Sequence, residues 1–159
     1  NIKIYPKGRK MKIKFYDNLD YQLDAINSIV DIFKGQEVTH TLFGIKAPEI
    51  VGTKQTETGI GNRLTLSEDE LLKNIEDIQK RNALEITNSI DKNNLNFSIE
   101  METGTGKTYV FLRTIFELNK RYGFKKFIIV VPSIAIKEGV KKNLDITKEH
   151  FKTLYDNTP

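Results

Sequence analysis

The sequence predicts an α/β fold in three layers, with a mainly parallel sheet between two layers of helices. Two observations support this prediction. Residues 97–122 read as a short apolar strand, a glycine-containing turn and an amphipathic helix, in that order. Residues 127–131, Phe-Ile-Ile-Val-Val, are then a continuous apolar run between two lysines and a proline, which is typical of a parallel strand covered on both faces. Strand, helix and strand in this order predict a right-handed βαβ crossover.

The helices are predicted from apolar residues at helical spacing and from the residues that begin and end each run. Gly35 and Gly123 follow two of these runs and are suited to end them. Ser67 and Glu70 have the spacing of a capping box, and the helix they open has a looser continuation over residues 84–90. The predicted helices span residues 20–34, 67–81, 106–121, 134–143 and 147–155.

Two segments fall outside this pattern. Residues 35–66 contain five glycines and a proline among polar residues, so we expect a loop-rich insertion with short strands such as residues 41–45. Residues 1–10 contain four basic residues and no acid, and Met11 reads like a natural start. We therefore expect residues 1–10 to be leader or added sequence, and residues 11–159 to be the N-terminal portion of one domain.

Composition excludes several classes of protein. The chain has no cysteine, so disulfides and thiolate metal sites are impossible. No apolar run approaches the roughly 20 residues that span a bilayer, so we expect a cytoplasmic protein with no membrane partner. The net charge of +4 equals the excess carried by residues 1–10. Residues 101–159 are locally basic, but a modest excess of this kind is usually a solvated face, so the charge alone favours that interpretation over nucleic-acid contact.

Residues 101–108, Met-Glu-Thr-Gly-Thr-Gly-Lys-Thr, have the spacing of a phosphate-binding loop. The glycines let successive backbone N–H groups point into one concavity, and the positive end of the following helix points there too. Lys107 places a positive charge at the β- and γ-phosphates and is the predicted catalytic residue, while the Thr108 hydroxyl is placed to bind Mg²⁺. We therefore expect ATP and Mg²⁺ as cofactors. The predicted cofactor-binding residues of the loop are Thr103, Gly104, Thr105, Gly106, Lys107 and Thr108.

Gln22 is the candidate for recognition of the base. Its amide has one acceptor and two donors, a pattern that can pair with the edge of adenine, and the aromatic pair Phe15-Tyr16 can stack on a base. The alternative is a solvated glutamine in the first turn of a helix, beside aromatic residues of the core. The phosphate-binding loop favours the adenine-reading role.

Pro132 and Ser133 turn the chain at the end of the second predicted strand, where open α/β sheets place their ligands. Ser133 and the start of the next helix can hold a nucleic-acid phosphate. An ordinary helix cap explains Ser133 equally well.

Residues 101–108 and 127–139, with Tyr21-Gln22 upstream, resemble the N-terminal part of the restriction (Res) subunit of Type III restriction-modification enzymes, which are superfamily 2 motors. The resemblance implies a partial RecA-like P-loop NTPase domain, truncated before the Walker B strand. It implies that Gln22 reads adenine and that Pro132 and Ser133 contact DNA. It also implies a parent enzyme that uses ATP to move on double-stranded DNA and cuts it in complex with a methyltransferase (Mod) subunit.

Other interpretations stay open from the sequence. Another superfamily 2 helicase or translocase would carry the same loop, and a non-enzymatic binding module could keep it as a structural legacy. A small P-loop kinase fits less well, because the adenine-side glutamine lies upstream. A motor also needs an Asp-Glu pair after an apolar strand and an arginine from a second lobe. No stretch of this sequence qualifies, so we expect this chain alone to bind ATP without hydrolysing it.

Overall fold

The computed structural model describes residues 15–38 and 62–155 of the 159-residue chain. The expectations for residues 1–10 and for a strand over residues 41–45 lie outside the described residues. Within the described ranges the chain is helical. The elements are α1 (Asp20–Val30), a short 3-10 helix (Asp31–Phe33), α2 (Glu68–Arg81), α3 (Lys107–Tyr122) and α4 (Ile134–Leu154).

Helix α3 lies at the centre of the described part. Against α1 it buries an apolar cluster that continues into Phe124, and against α4 it buries an aromatic one. Apolar area removed from water is the main stabilising term in such a core, so these two contacts fix α3 from two sides. The first cluster consists of Ile26, Val30, Val110, Leu118, Tyr122 and Phe124. The second consists of Tyr109, Leu112, Phe151 and Tyr155.

Helix α2 packs against the 3-10 helix, where Leu71 and Ile75 meet Ile32. The predicted capping box is confirmed: Ser67 Oγ accepts from the backbone N–H of Glu70, and a carboxylate oxygen of Glu70 accepts from the backbone N–H of Ser67 at 2.8 Å. These hydrogen bonds satisfy N–H groups that a helix start leaves unpaired. They also hold the pKa of Glu70 below its ordinary value.

The predicted fold class is wrong for the described residues, which contain no strand and no sheet. Residues 97–101 and 127–131 have no regular secondary structure. Ile128 is 91% exposed and Val130 is 87% exposed, whereas a strand covered on both faces would bury them. At the start of the second segment, the Asn62 side chain instead bonds the backbone of Lys125 and Lys126. An apolar run shows what a segment is able to bury, and a strand also needs a neighbour that pairs with its backbone.

Two helix predictions also need correction. Residues 134–143 and 147–155 were predicted as two helices, but α4 is continuous from Ile134 to Leu154. Thr147 is not a helix start, because its hydroxyl donates to the carbonyl of Asn143 at 2.7 Å inside the helix.

The predicted continuation of α2 over residues 84–90 is not helical. Ala83 has a positive φ of 53°, which ends the helical path after Arg81. The Gln79 side chain then holds the returning chain by hydrogen bonds to the backbone N–H and the hydroxyl of Thr87. Side-chain hydrogen bonds of this kind are invisible to a pattern of apolar spacing.

Candidate functional site

The glycine loop ends at the start of α3. Gly106 precedes the helix with φ +88° and Gly104 has φ +85°, both in the left-handed region that residues with a Cβ rarely adopt. Between them, the Thr105 hydroxyl donates to the carbonyl of Glu102 at 2.7 Å and closes the turn. The carbonyl of Gly106 accepts the N–H of Val110 at 3.0 Å, the first bond of the helix. The loop therefore has the tight turn and helix start that the sequence predicts for residues 101–108.

The side chain of Gln22 lies against this loop. Its Nε2 donates to the carbonyl oxygen of Thr105 at 2.8 Å, across 83 residues of sequence, and the side chain is buried. A Cβ added to Gly106 would lie 2.7 Å from that Nε2 atom. Gly106 is therefore required twice, for its backbone conformation and for the space that Gln22 fills. Gln22 is therefore buried and not solvated, and its contact with adenine stays a prediction.

An open cavity of about 600 Å³ is bordered by residues 15–22, by the glycine loop with the start of α3, and by Asn143 of α4. Of the predicted cofactor-binding residues, all but Thr105 line this cavity. Lys107 is its cation, and no acidic side chain is among the described residues that line it. The cavity therefore has the positive potential that an anion requires. Its lining consists of Phe15, Tyr16, Leu19, Gln22, Thr103, Gly104, Gly106, Lys107, Thr108, Tyr109 and Asn143.

A larger cavity of about 1240 Å³ lies between α1, α2 and residues 84–105, and Thr105 borders it. Its described lining contains four carboxylates and neither Lys nor Arg. Like charges repel, so this lining disfavours a phosphate group. By size alone, this cavity would be the better candidate for a ligand site. The charge of the lining residues instead favours the smaller cavity as the site for a phosphate group. The four acidic residues are Asp24, Asp91, Glu100 and Glu102.

The sequence did not identify Tyr109 and Asn143 as site residues. Tyr109 belongs to the first turn of α3, and its hydroxyl lies 2.9 Å from His150 Nε2 on α4. The Phe15 ring stacks on Tyr109, with ring centroids 6.2 Å apart, and also packs against His150 at 5.3 Å. The position of Tyr109 directly after Thr108, the last residue of the loop, is a sequence signal that could have identified it as a site residue. No sequence signal marks Asn143, because only the packing of α4 against α3 brings it to the cavity.

Burial shifts the pKa values of Tyr109 and His150. Burial raises the pKa of Tyr109, and the nearby Arg113 opposes that rise. Burial lowers the pKa of His150, while Asp17 raises it and Arg113 lowers it further. Both groups are therefore held in their neutral forms near pH 7, which suits a hydrogen bond between them.

Pro132 and Ser133 are exposed and lie outside the cavity lining. Ser133 caps α4, because its Oγ accepts the backbone N–H of Ile136 at 3.3 Å and its carbonyl accepts that of Lys137. The structure thus realises the helix-cap alternative for Ser133. The contact with nucleic acid stays a prediction.

Comparison with known proteins identifies the family. Residues 72–158, which contain the glycine loop and helices α3 and α4, match the family model described as "Type III restriction enzyme, res subunit". The chain belongs to the Res subunit family of Type III restriction enzymes. The resemblance that residues 101–108 and 127–139 indicated is confirmed.

Relatives of the Res family agree with this assignment. The chain is 34% identical over 151 residues to the Type III restriction-modification enzyme EcoPI Res subunit of Escherichia phage P1, covering 89% of this chain and 14% of that protein. It is 36% identical over 143 residues to the EcoP15I Res subunit of Escherichia coli, covering 87% and 14%. A Res subunit of Salmonella typhimurium, StyLTI, is 49% identical over 65 residues, covering 40% and 7%. The chain thus spans about a seventh of the length of the first two relatives.

None of the helices in the described part of the chain has both the length and the apolar character that crossing a membrane requires.

Proposed function

We propose that this chain binds ATP and Mg²⁺ in the cavity between residues 15–22 and the Lys107 loop, as the N-terminal ATP-binding part of the DNA-dependent motor of a Type III restriction enzyme. The observation that supports the proposal most is the hydrogen bond from Gln22 to Thr105. It places an amide able to read a base directly against a glycine loop able to hold phosphates.

The phosphate end of the ligand lies in the glycine loop. Backbone N–H groups over residues 103–108 and the N-terminus of α3 supply partial positive charge, and Lys107 supplies a full one. The Thr108 hydroxyl lines the same cavity and is available as an oxygen ligand for Mg²⁺. A volume of about 600 Å³ is in the range of small-molecule sites. The residues present therefore fit a nucleoside triphosphate with its metal ion.

The base end of the ligand lies against Gln22 and Tyr16. One Gln22 N–H is used on the Thr105 carbonyl, and the amide has a second N–H and a carbonyl oxygen for the edge of adenine. Tyr16 lines the cavity with 62% of its surface exposed, and an aromatic ring is able to stack on a base. Adenine is thus recognised by hydrogen bonding on one side and by an aromatic ring on the other.

The partners of the parent enzyme follow from the family. The relatives are named as Res subunits of restriction-modification enzymes. We extend this to double-stranded DNA and a methyltransferase (Mod) subunit as the partners of this protein, and to DNA cleavage as the activity of the whole enzyme. Pro132 and Ser133 are the proposed DNA contacts. The oxygen of Ser133 accepts the cap hydrogen bond, and its O–H can still donate to a backbone phosphate. That this chain alone does not hydrolyse ATP stays a prediction.

Isothermal titration calorimetry with ATP and Mg²⁺ tests the binding site. Lys107→Ala removes the cation of the cavity, and a hydrogen bond to a charged group contributes about 1.5–3 kcal/mol, so the affinity should fall at least about tenfold. Lys73→Ala is the matched control, since Lys73 is an exposed lysine on α2 outside the cavity lining. Its affinity should equal that of the wild type. Equal affinities for wild type and Lys107→Ala would refute the proposed site and favour a loop kept only as structure.

A further inference from the structure

Arg113 occupies an unusual position for a charged side chain. It lies in the middle of α3, and only 8% of its surface is exposed. Its Nη1 donates to the backbone carbonyl of Asp17, 96 residues away in sequence, and its Nε is buried with no partner in the described part of the chain. Burying a guanidinium costs free energy that an apolar side chain of similar volume would not. Packing of α3 alone therefore gives no reason for an arginine here.

The Asp17 carbonyl belongs to the segment that forms the base-side wall of the cavity. Residues 15–19 have no regular structure and contribute Phe15, Tyr16 and Leu19 to the lining. Helix α1 and Gln22 follow directly. A segment without regular structure needs outside hydrogen bonds to keep one conformation, because ordering each residue costs backbone entropy. Arg113 supplies such a bond from the rigid helix that also carries Lys107.

The guanidinium is itself held from two helices. Interactions with Tyr155, Tyr109 and Glu117 raise the pKa of Arg113 against the lowering effect of burial, which is the largest single influence. The Tyr155 hydroxyl donates to a carboxylate oxygen of Glu117 at 2.7 Å, and Glu117 is paired with Arg121 at 3.1 Å. Arg113 therefore lies among polar side chains of α3 and Tyr155, and it contacts the backbone at the Asp17 carbonyl.

We propose that Arg113 is a positioning residue for the base end of the nucleotide: by holding the Asp17 carbonyl it keeps residues 15–19 in place over the adenine side of the cavity. Arg113 does not line the cavity and acts through this segment. The inference rests on the proposed function, because it concerns the same ATP site. It assigns the two ends of the bound ATP to two different parts of the protein. Lys107 and the glycine loop hold the triphosphate, and Arg113 orders the wall that meets the base.

The test compares Mg²⁺–ATP with Mg²⁺–tripolyphosphate, which has no base, by calorimetric titration. Arg113→Met keeps the volume of the side chain and removes its donors. The ATP affinity should fall about tenfold, which corresponds to about 1.4 kcal/mol. The tripolyphosphate affinity should change less than about twofold. Arg81→Met removes an exposed arginine of α2 that neither lines the cavity nor interacts with Arg113, and both of its affinities should match the wild type.

A merely structural role would reduce both affinities together, so equal losses for the two ligands would overturn the inference. So would an unchanged ATP affinity in Arg113→Met. If Arg113→Met does not fold, Tyr155→Phe is the variant that tests the inference. It keeps the aromatic packing and removes the hydroxyl beside the guanidinium. Tyr155→Phe should weaken ATP and leave tripolyphosphate unchanged, and an unchanged ATP affinity would refute the inference. Failure of the wild type to bind either ligand would instead refute the proposed function.

Discussion

Gly106→Ala tests the geometry of the loop most directly. At φ +88° an alanine is in the left-handed region, which costs an L-residue about 1–2 kcal/mol. Its Cβ would also lie 2.7 Å from Gln22 Nε2, so the glutamine side chain must move and release the Thr105 carbonyl. Losing that hydrogen bond costs about 0.5–1.5 kcal/mol. The two effects together predict a loss of about 1.5–3.5 kcal/mol in the free energy of unfolding.

Gly104→Ala is the matched control. Gly104 has nearly the same φ, +85°, but a Cβ at this position meets nothing within 4 Å. Gly104→Ala should therefore carry only the backbone cost, and the difference between the two variants, about 1 kcal/mol, measures the displacement of Gln22. In a Gln22→Ala background, where the obstructing side chain is gone, Gly106→Ala and Gly104→Ala should cost the same.

Urea unfolding followed by circular dichroism at 222 nm supplies these free energies. The reasoning is refuted if the two glycine variants are equally destabilised in the wild-type background. It is also refuted if the extra cost of Gly106→Ala persists after Gln22→Ala, because the cost would then arise elsewhere.

Two further predictions concern α4. Gly139→Ala should stabilise the chain by about 0.5–1 kcal/mol in urea unfolding, because Gly139 is an exposed residue inside the helix and an added Cβ meets nothing within 4 Å; a loss of stability would contradict the described helix. His150 should make the chain less stable in acid. Its pKa in the folded chain is lowered mainly by burial, while Asp17 raises it and Arg113 lowers it. The unfolded chain therefore binds the proton more readily than the folded chain does. That contribution is complete above the ordinary pKa of about 6.5 and is lost as the pH falls below it. The stability advantage of wild type over His150→Gln should therefore shrink between pH 7.5 and pH 5.5, and a constant advantage would show that His150 does not titrate in this way.

Local signals explain what the sequence predicted well. The capping box of Ser67 and Glu70, and the left-handed glycines at the ends of helices, depend on residues close together in the chain. The start of α3 at Lys107 follows the predicted boundary within one residue. Such features are determined by backbone conformation and short-range hydrogen bonds, which a single sequence displays directly.

The failures have a different origin. The apolar run at residues 127–131 predicted a covered strand, but a sheet depends on partners far away in sequence, and the described residues provide none. The same holds for Asn143 and Arg113, whose positions depend on how α4 and the Asp17 segment pack on α3. In α4, the sequence predicts a helix that begins at Thr147, but the Thr147 hydroxyl donates back to the Asn143 carbonyl from inside one continuous helix.

The role of Gln22 depends both on the chemistry of its side chain and on packing between segments far apart in the sequence. The spacing of Gln22 from the loop carries no local signal, and its adenine-reading role is predicted from the chemistry of the amide, the presence of the phosphate-binding loop and the family resemblance. The hydrogen bond to Thr105 gives that assignment a structural basis: one N–H of the amide is bound to the loop, so the orientation of the remaining donor and acceptor is fixed by the conformation of the loop. In the proposed site, a base that pairs with Gln22 also favours the loop conformation that is proposed to hold the phosphates. Gln22 there contacts both the base and the Lys107 loop, so a change at Gln22 should alter the affinity for the triphosphate as well as for the base. Arg113 differs from Gln22 in this respect, because it contacts residues 15–19 and not the loop.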